Sequence, residues 1–150
     1  MIPTHRSEKG GTVTRSVHGG TTKVEYRNAA GKLHRSNGPA VIWYDAEGCE
    51  VYAQYRDEGV IHRDDGPAIV RTTHRGESME SYYRYGACHR DGGPAYIAYR
   101  PDGTVRTRMY YRNGFFHRDD GPAKEFHCGD PNRYACQYYQ YGVRQRRGGR

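Results

Sequence analysis

His117-Arg118-Asp119-Asp120-Gly121-Pro122-Ala123 is one of four copies of the string His-Arg-x-x-Gly-Pro-Ala. The others run from His34 to Ala40, His62 to Ala68 and His89 to Ala95, so the His-to-His steps are 28, 27 and 28 residues. A Gly stands three residues before each His position, at Gly31, Gly59, Gly86, Gly114 and Gly142, and another fourteen after, at Gly19, Gly48, Gly76 and Gly103. A Tyr recurs seven residues before, at Tyr55, Tyr82, Tyr110 and Tyr138, with Tyr26 one place out of phase. His5-Arg6 is a degenerate start, and Gln145-Arg146-Arg147-Gly148-Gly149 a degenerate stop. Self-similarity at a fixed period with atypical ends is the mark of a stacked array. It divides the chain into units 5–33, 34–61, 62–88, 89–116 and 117–144, with a basic tail at 145–150, all in one β-repeat domain.

The punctuation of each unit is that of β-structure. Asn37-Gly38, Asp65-Gly66, Gly92-Gly93 and Asp120-Gly121 read as type I′ dipeptides in which both residues take φ > 0, as does Asn113-Gly114. Arg100-Pro101-Asp102-Gly103 reads as a Pro-initiated turn ending in a Gly bulge. Between the turns lie runs of strand length, among them Val41-Ile42-Trp43-Tyr44, Tyr96-Ile97-Ala98-Tyr99 and Arg108-Met109-Tyr110-Tyr111. No stretch sustains a 3.6-residue period. Each unit is therefore expected to be a two-stranded hairpin. Side by side, the units make an all-β fold, an elongated single-sheet antiparallel array of about five hairpins. The buried side should carry the phase-locked Tyr residues, Ala40, Ala68, Ala95 and Ala123, and the residue before each His: Leu33, Ile61, Cys88 and Phe116. Pro39, Pro67, Pro94 and Pro122 donate no hydrogen bond and should open strands.

Composition bounds the core. Leu, Ile, Val and Phe together are 18 of 150 residues, too few for a Leu-rich helical interior and within the range of disordered chains. Fifteen Tyr argue the other way, since each buries a ring and keeps its hydroxyl wet. Mean hydropathy is −1.07. No run is long enough to span a membrane, and the amino-terminal stretch lacks the apolar core of a secretory leader. With no leader, Cys49, Cys88, Cys128 and Cys136 are expected as reduced thiols in a cytoplasm.

The segment Asn113-Gly114-Phe115-Phe116-His117-Arg118-Asp119-Asp120-Gly121 resembles the junction between successive MORN-type hairpins, in a lengthened form. It is also similar to repeats of uncharacterised phage and bacterial proteins. The resemblance covers nearly the whole chain and implies a β-hairpin scaffold whose relatives contact proteins and membrane surfaces. The longer period and the Arg after His set this chain apart from that family.

The repeated motif comprises His34, Arg35, Gly38 and Pro39; His62, Arg63, Gly66 and Pro67; His89, Arg90, Gly93 and Pro94; His117, Arg118, Gly121 and Pro122. Equivalent His residues two strands apart are roughly 9.5 Å from one another, too far to share an ion whose ligands lie about 2 Å from it. No metal is expected there, and each His should instead tie its turn together through the ring nitrogens. Each Arg is expected to pair with turn carboxylates such as Asp64, Asp65, Asp91, Asp119 and Asp120; a guanidinium ladder facing a polyanion is the alternative. A zinc site from His127, Cys128 and Cys136 is a weak option. Nucleophile elbows, phosphate loops and zinc-protease motifs are missing, so neither enzyme activity nor a cofactor is expected.

The charge balance points to binding. The chain is +7 with neutral His, and Arg outnumbers Lys 20 to 4. Forked Arg and amphipathic Tyr suit a contact surface. Arg56, Arg84, Arg112, Tyr85, Tyr141, Arg144, Arg146 and Arg147 are the candidate partner-binding residues. The leading expectation is a non-enzymatic scaffold for a protein or ribonucleoprotein, an inhibitor of the counter-defence, anti-CRISPR kind, acting in the host cytoplasm if phage-encoded. Direct nucleic-acid binding through an Arg/Tyr face is the second, and a membrane surface the third and least favoured.

Overall fold

The computed structural model describes residues 5–127 and 134–146. Its strands are β1 (Thr12–His18), β2 (Thr21–Arg27), β3 (Val41–Tyr44), β4 (Glu50–Gln54), β5 (Arg56–Asp57), β6 (Val60–Ile61), β7 (Ile69–Thr72), β8 (Ser78–Ser81) and β9 (Tyr83–Arg84). They continue with β10 (Ala87–Cys88), β11 (Tyr96–Tyr99), β12 (Val105–Met109), β13 (Tyr111–Arg112), β14 (Phe115–Phe116), β15 (Lys124–His127), β16 (Tyr134–Gln140) and β17 (Val143–Gln145). An 11-stranded antiparallel sheet in the order β1-β2-β3-β4-β7-β8-β11-β12-β15-β16-β17 forms the elongated array. Among the described residues no helix is long and apolar enough to cross a membrane.

The units are richer than simple hairpins. Each internal unit adds a second, two-stranded hairpin beside the main sheet: β5–β6, β9–β10 and β13–β14, matched at the end by β16–β17. The phase-locked Tyr is where one becomes the other. Its N–H still donates to the Ala of the motif, at 2.8 Å for Tyr26 to Ala40, Tyr55 to Ala68, Tyr82 to Ala95 and Tyr110 to Ala123. Its carbonyl turns away and accepts from the N–H of the His that opens the next unit, as in His89 to Tyr82 at 3.0 Å. Tyr110 thus separates β12 from β13 and does not lie within one continuous strand.

Tyr26 is out of phase because its side hairpin has a longer turn. Asn28 N–H donates to the Lys32 carbonyl at 3.0 Å, and the Asn28 side chain accepts from Ala30 and Lys32. The one-residue insertion is absorbed there, and Arg35 still reaches Tyr26.

The core is thin. Ala40, Ala68, Ala95 and Ala123 are wholly buried, whereas Leu33, Ile61, Cys88 and Phe116 are half-buried. Tyr26 is buried with Val24, Ile42 and Tyr44, while Tyr55, Tyr82, Tyr110 and Tyr138 are half-buried. Each Pro stands two residues before a strand and the intervening Ala begins the ladder, as in Ala68 N–H to the Ser81 carbonyl at 2.9 Å.

Candidate interaction surface

The motif loops are not type I′ turns. Of their dipeptides only Gly38 and Gly92 have positive φ; Asn37, Asp65, Gly66, Gly93, Asp120 and Gly121 do not. The reason is the Arg that shares the loop. Arg35, Arg63, Arg90 and Arg118 lie over the rings of Tyr26, Tyr55, Tyr82 and Tyr110 at 4.0, 3.9, 3.8 and 4.0 Å from the centroid. A Cβ at Gly38, Gly66, Gly93 or Gly121 would stand 3.0 to 3.5 Å from that guanidinium. Arg63, Arg90 and Arg118 also donate to the carbonyls of Pro67, Pro94 and Pro122. The motif is thus a clamp on the Tyr that ends the strand of the preceding unit, and the glycine makes room for it. Pairing with a turn carboxylate is the variable part: Arg63 meets Asp65 at 2.7 Å and Arg118 meets Asp120 at 3.0 Å. Those hydrogen bonds hold both carboxyls below their ordinary range.

The His residues link successive side hairpins and do not merely close their own turns. Nδ1 of His34, His62, His89 and His117 accepts the backbone N–H of Glu58, Tyr85, Asn113 and Tyr141, at 3.3, 3.3, 3.1 and 3.3 Å. In the last three Nε2 lies 3.3, 3.1 and 3.2 Å from Asp64, Asp91 and Asp119, but only His89 makes a hydrogen bond there, and the buried His117 Nε2 has no hydrogen-bond partner. The next Gly completes the joint. Gly59, Gly86, Gly114 and Gly142 donate to the carbonyls of Leu33, Ile61, Cys88 and Phe116 at 2.8 to 2.9 Å. Each side hairpin is hooked onto the one before it.

These joints are the true type I′ turns. Glu58, Tyr85, Asn113 and Tyr141 have φ of 48, 46, 51 and 45°, each followed by a Gly at 82 to 87°. Asn suits that conformation; a bulky Tyr does not. Tyr85 is held by stacking on His62 at 4.5 Å and 9° between planes, and Tyr141 by packing on His117 at 4.2 Å. Both rings nevertheless stay open to solvent, 74% and 58% exposed. Val60, Phe115 and Val143, also exposed, flank the same turns.

The candidate residues divide accordingly. Arg84, Tyr85, Arg112, Tyr141 and Arg144 lie on this row of side hairpins, with Arg146 just beyond it. Arg84 and Arg112 pair with Asp91 and Asp119 at 3.4 and 3.2 Å, and Arg112 also reaches the Tyr141 hydroxyl. Arg144 and Arg146 make no ion pair among the described residues. Arg56 lies on the first of these hairpins but does not take the position of Arg84 and Arg112. It occupies the slot of Tyr83, Tyr111 and Tyr139 and turns inward to Gln54 Oε1 and the Gly59 carbonyl, both at 2.6 Å. Arg147 lies outside the described residues.

Among the described residues, His34, Asp57 and Glu58 could present three ligand atoms within 4.8 Å of one another. Two of the three are already engaged: His34 Nδ1 takes the Glu58 N–H and lies 3.0 Å from Asp57, and the Glu58 carboxylate meets Asn28 at 2.7 Å and Lys32 at 3.5 Å. Cys49 and Cys136 are exposed free thiols, and burial pushes the half-buried Cys88 thiol up to about 12. Cys128, the remaining cysteine of the weak zinc option, lies outside the described residues. Comparison with known proteins returns no match: no family model, no curated protein and no solved structure is similar to the chain.

Proposed function

We propose that the protein is a non-enzymatic repeat scaffold. It binds a macromolecular partner, a protein or ribonucleoprotein, through the row of side-hairpin turns. The observation that carries this reading is the pair Tyr85 and Tyr141: bulky residues at positive φ whose rings remain largely exposed. Asn113 shows that the turn closes without an aromatic side chain, so folding does not demand the strain. Strain kept alongside exposed aromatic surface suits an anchor for a partner. Arg84 and Arg112 flank the rings and would orient that partner. The repeated His and Arg are committed to structure, which supports a holding role and not a catalytic one. A phage-type inhibitor of a host defence assembly, acting in the cytoplasm, is the biological setting that the resemblance to repeats of phage and bacterial proteins suggests.

The test is affinity capture from bacterial lysate with the parent chain and with Tyr85→Asn/Tyr141→Asn. One stoichiometric partner retained by the parent and lost by the double variant is the expected result. A partner held equally by both, or none held by the parent, overturns the reading.

A further inference from the structure

The main sheet carries a second unusual surface, on the face away from the Val24–Ile42 core. Lys23 is opposite Trp43, Trp43 opposite Tyr52, and Tyr52 opposite Arg71. Four adjacent strands therefore align cation, aromatic, aromatic and cation along roughly 14 Å. The rings of Trp43 and Tyr52 are 5.6 Å apart and inclined at 52°. Trp43 is 42% exposed although every other residue of β3 is buried. A groove of about 560 Å³ runs past all four residues, a volume suited to a nucleotide-sized ligand.

The charges of the groove are unbalanced. Its acid, Glu25, already pairs with Lys23 at 2.7 Å and Arg27 at 3.5 Å. Arg71 is exposed and makes neither hydrogen bond nor ion pair among the described residues. The site thus offers a ring to stack upon and, one strand beyond the second ring, a free guanidinium that can accommodate two oxygens of one anion. An acidic peptide would satisfy Arg71 and leave the rings unused. A neutral sugar would cover the rings and leave Arg71 unpaired. A base joined to a phosphate answers both, and the +7 charge of the chain favours its approach.

We propose that the row Lys23–Trp43–Tyr52–Arg71 is a platform for single-stranded nucleic acid, with a base stacked on Trp43 and a neighbouring phosphate paired with Arg71. The platform lies on the main sheet, apart from the side-hairpin turns, and does not rest on the protein-partner reading.

Trp43 is the single tryptophan of the chain, so its fluorescence reports on this site alone. The full chain is titrated at low salt with oligoadenylate and oligodeoxyadenylate, about eight nucleotides long to match the span of one small binding fold. Saturable quenching is expected, weakening steeply with salt. Arg71→Gln should weaken binding roughly tenfold and lower the log–log salt slope by about 1. Arg106→Gln removes an equal charge elsewhere and should leave the affinity close to that of the parent. No quenching at low salt overturns the proposal. Equal quenching by a blunt duplex or by polyglutamate, or equal loss in both Arg variants, also overturns it by showing charge attraction without base stacking.

Discussion

The guanidinium carbon of Arg63 lies 3.9 Å from the centroid of the Tyr55 ring, and its other side fills the space that a Gly66 side chain would need. The same arrangement recurs at Arg35, Arg90 and Arg118. It turns an exposed strand junction into a covered one without using a large apolar residue, of which this chain has few. A Lys in the same place keeps the charge but loses the planar stack and the Nη1 bond to the Pro carbonyl. Arg90 is the cleanest site, since its guanidinium contacts Tyr82 and the Pro94 carbonyl without an ion pair. Arg90→Lys should therefore cost about 1 kcal/mol, read from urea denaturation. A variant as stable as the parent would show that the stack contributes nothing.

The glycines of the clamp give a ranking that conformational preference alone does not. Gly66, Gly93 and Gly121 all lack positive φ, so Ala is allowed by the backbone at each. What differs is the approach of the added Cβ to the guanidinium carbon: 3.0 Å at Gly66, 3.1 Å at Gly121 and 3.5 Å at Gly93. Gly66→Ala and Gly121→Ala should destabilise more than Gly93→Ala, which should be nearly neutral, because 3.5 Å is ordinary contact. Thermal melts of the three variants check the order.

Much of this architecture was legible in the sequence because a repeat multiplies weak signals. Five in-phase glycines, four Pro-Ala pairs and the phase-locked Tyr positions specify an antiparallel β-array even with an apolar content close to that of disordered chains. Of the side hairpins only the turn at Asn113-Gly114 was legible. Their strands are only two residues long, as at Tyr83–Arg84 and Ala87–Cys88, too short for any alternation to register. Turn chemistry misled in both directions. Asp120-Gly121 has the composition of a type I′ turn, but its loop is shaped by the Arg118–Tyr110 stack. Tyr85-Gly86 has the wrong composition, yet takes that turn because His62 holds the Tyr N–H and ring. Both decisions lie in contacts between units, where local propensity is silent. The available hint was the Gly three residues before each His, present in every unit whatever preceded it.

Removing a linking His should loosen the hairpin it holds rather than its own turn. In His62→Ala the Tyr85 amide loses its acceptor and its ring loses the stacked face. The Gly86 bond to Ile61 remains, so the hairpin should stay attached but open more often. Amide exchange of Tyr85 should quicken by roughly two- to tenfold, corresponding to the ~0.5–1.5 kcal/mol of one lost, solvent-accessible hydrogen bond. Exchange of Asn113, which is bonded to His89, should not change. Uniform acceleration along the chain would mean that the units are not coupled in this pairwise way.

The amino-terminal cap is set to respond to acid. His5 packs edge-on against Tyr26 and beside Tyr44, with its ring nitrogens bonded to both hydroxyls. Burial first, then Arg35 and Arg15, lower its pKa below 6.5. The folded form therefore holds the proton less tightly than the unfolded chain. The contribution of His5 is present in full above pH 6.5 and is lost as the pH falls from there through the folded pKa. NMR titration of the His5 ring should give a midpoint under 6.5, with resonances of Tyr26 and Tyr44 moving in step. A midpoint at or above 6.5 would place His5 in solvent.

The most informative substitution sets folding against binding at one residue. Tyr85 occupies a left-handed position at φ 46°, where Asn113 serves the equivalent turn. Tyr85→Asn removes the backbone penalty of a bulky residue and keeps the N–H that His62 accepts, but it gives up the stacked ring. Backbone relief and lost stacking are each about 1 kcal/mol and opposite in sign, so the variant should melt within a few degrees of the parent. Partner capture should nonetheless fall sharply, because the 74% exposed ring is the anchor that the proposed function assigns to this turn. Tyr141→Asn provides the same comparison in the last hairpin, β16–β17, where Arg112 also loses its hydroxyl contact. If both variants melt well below the parent, the rings are there for the fold. If they hold their stability and still capture the partner, the turn row is not the docking surface.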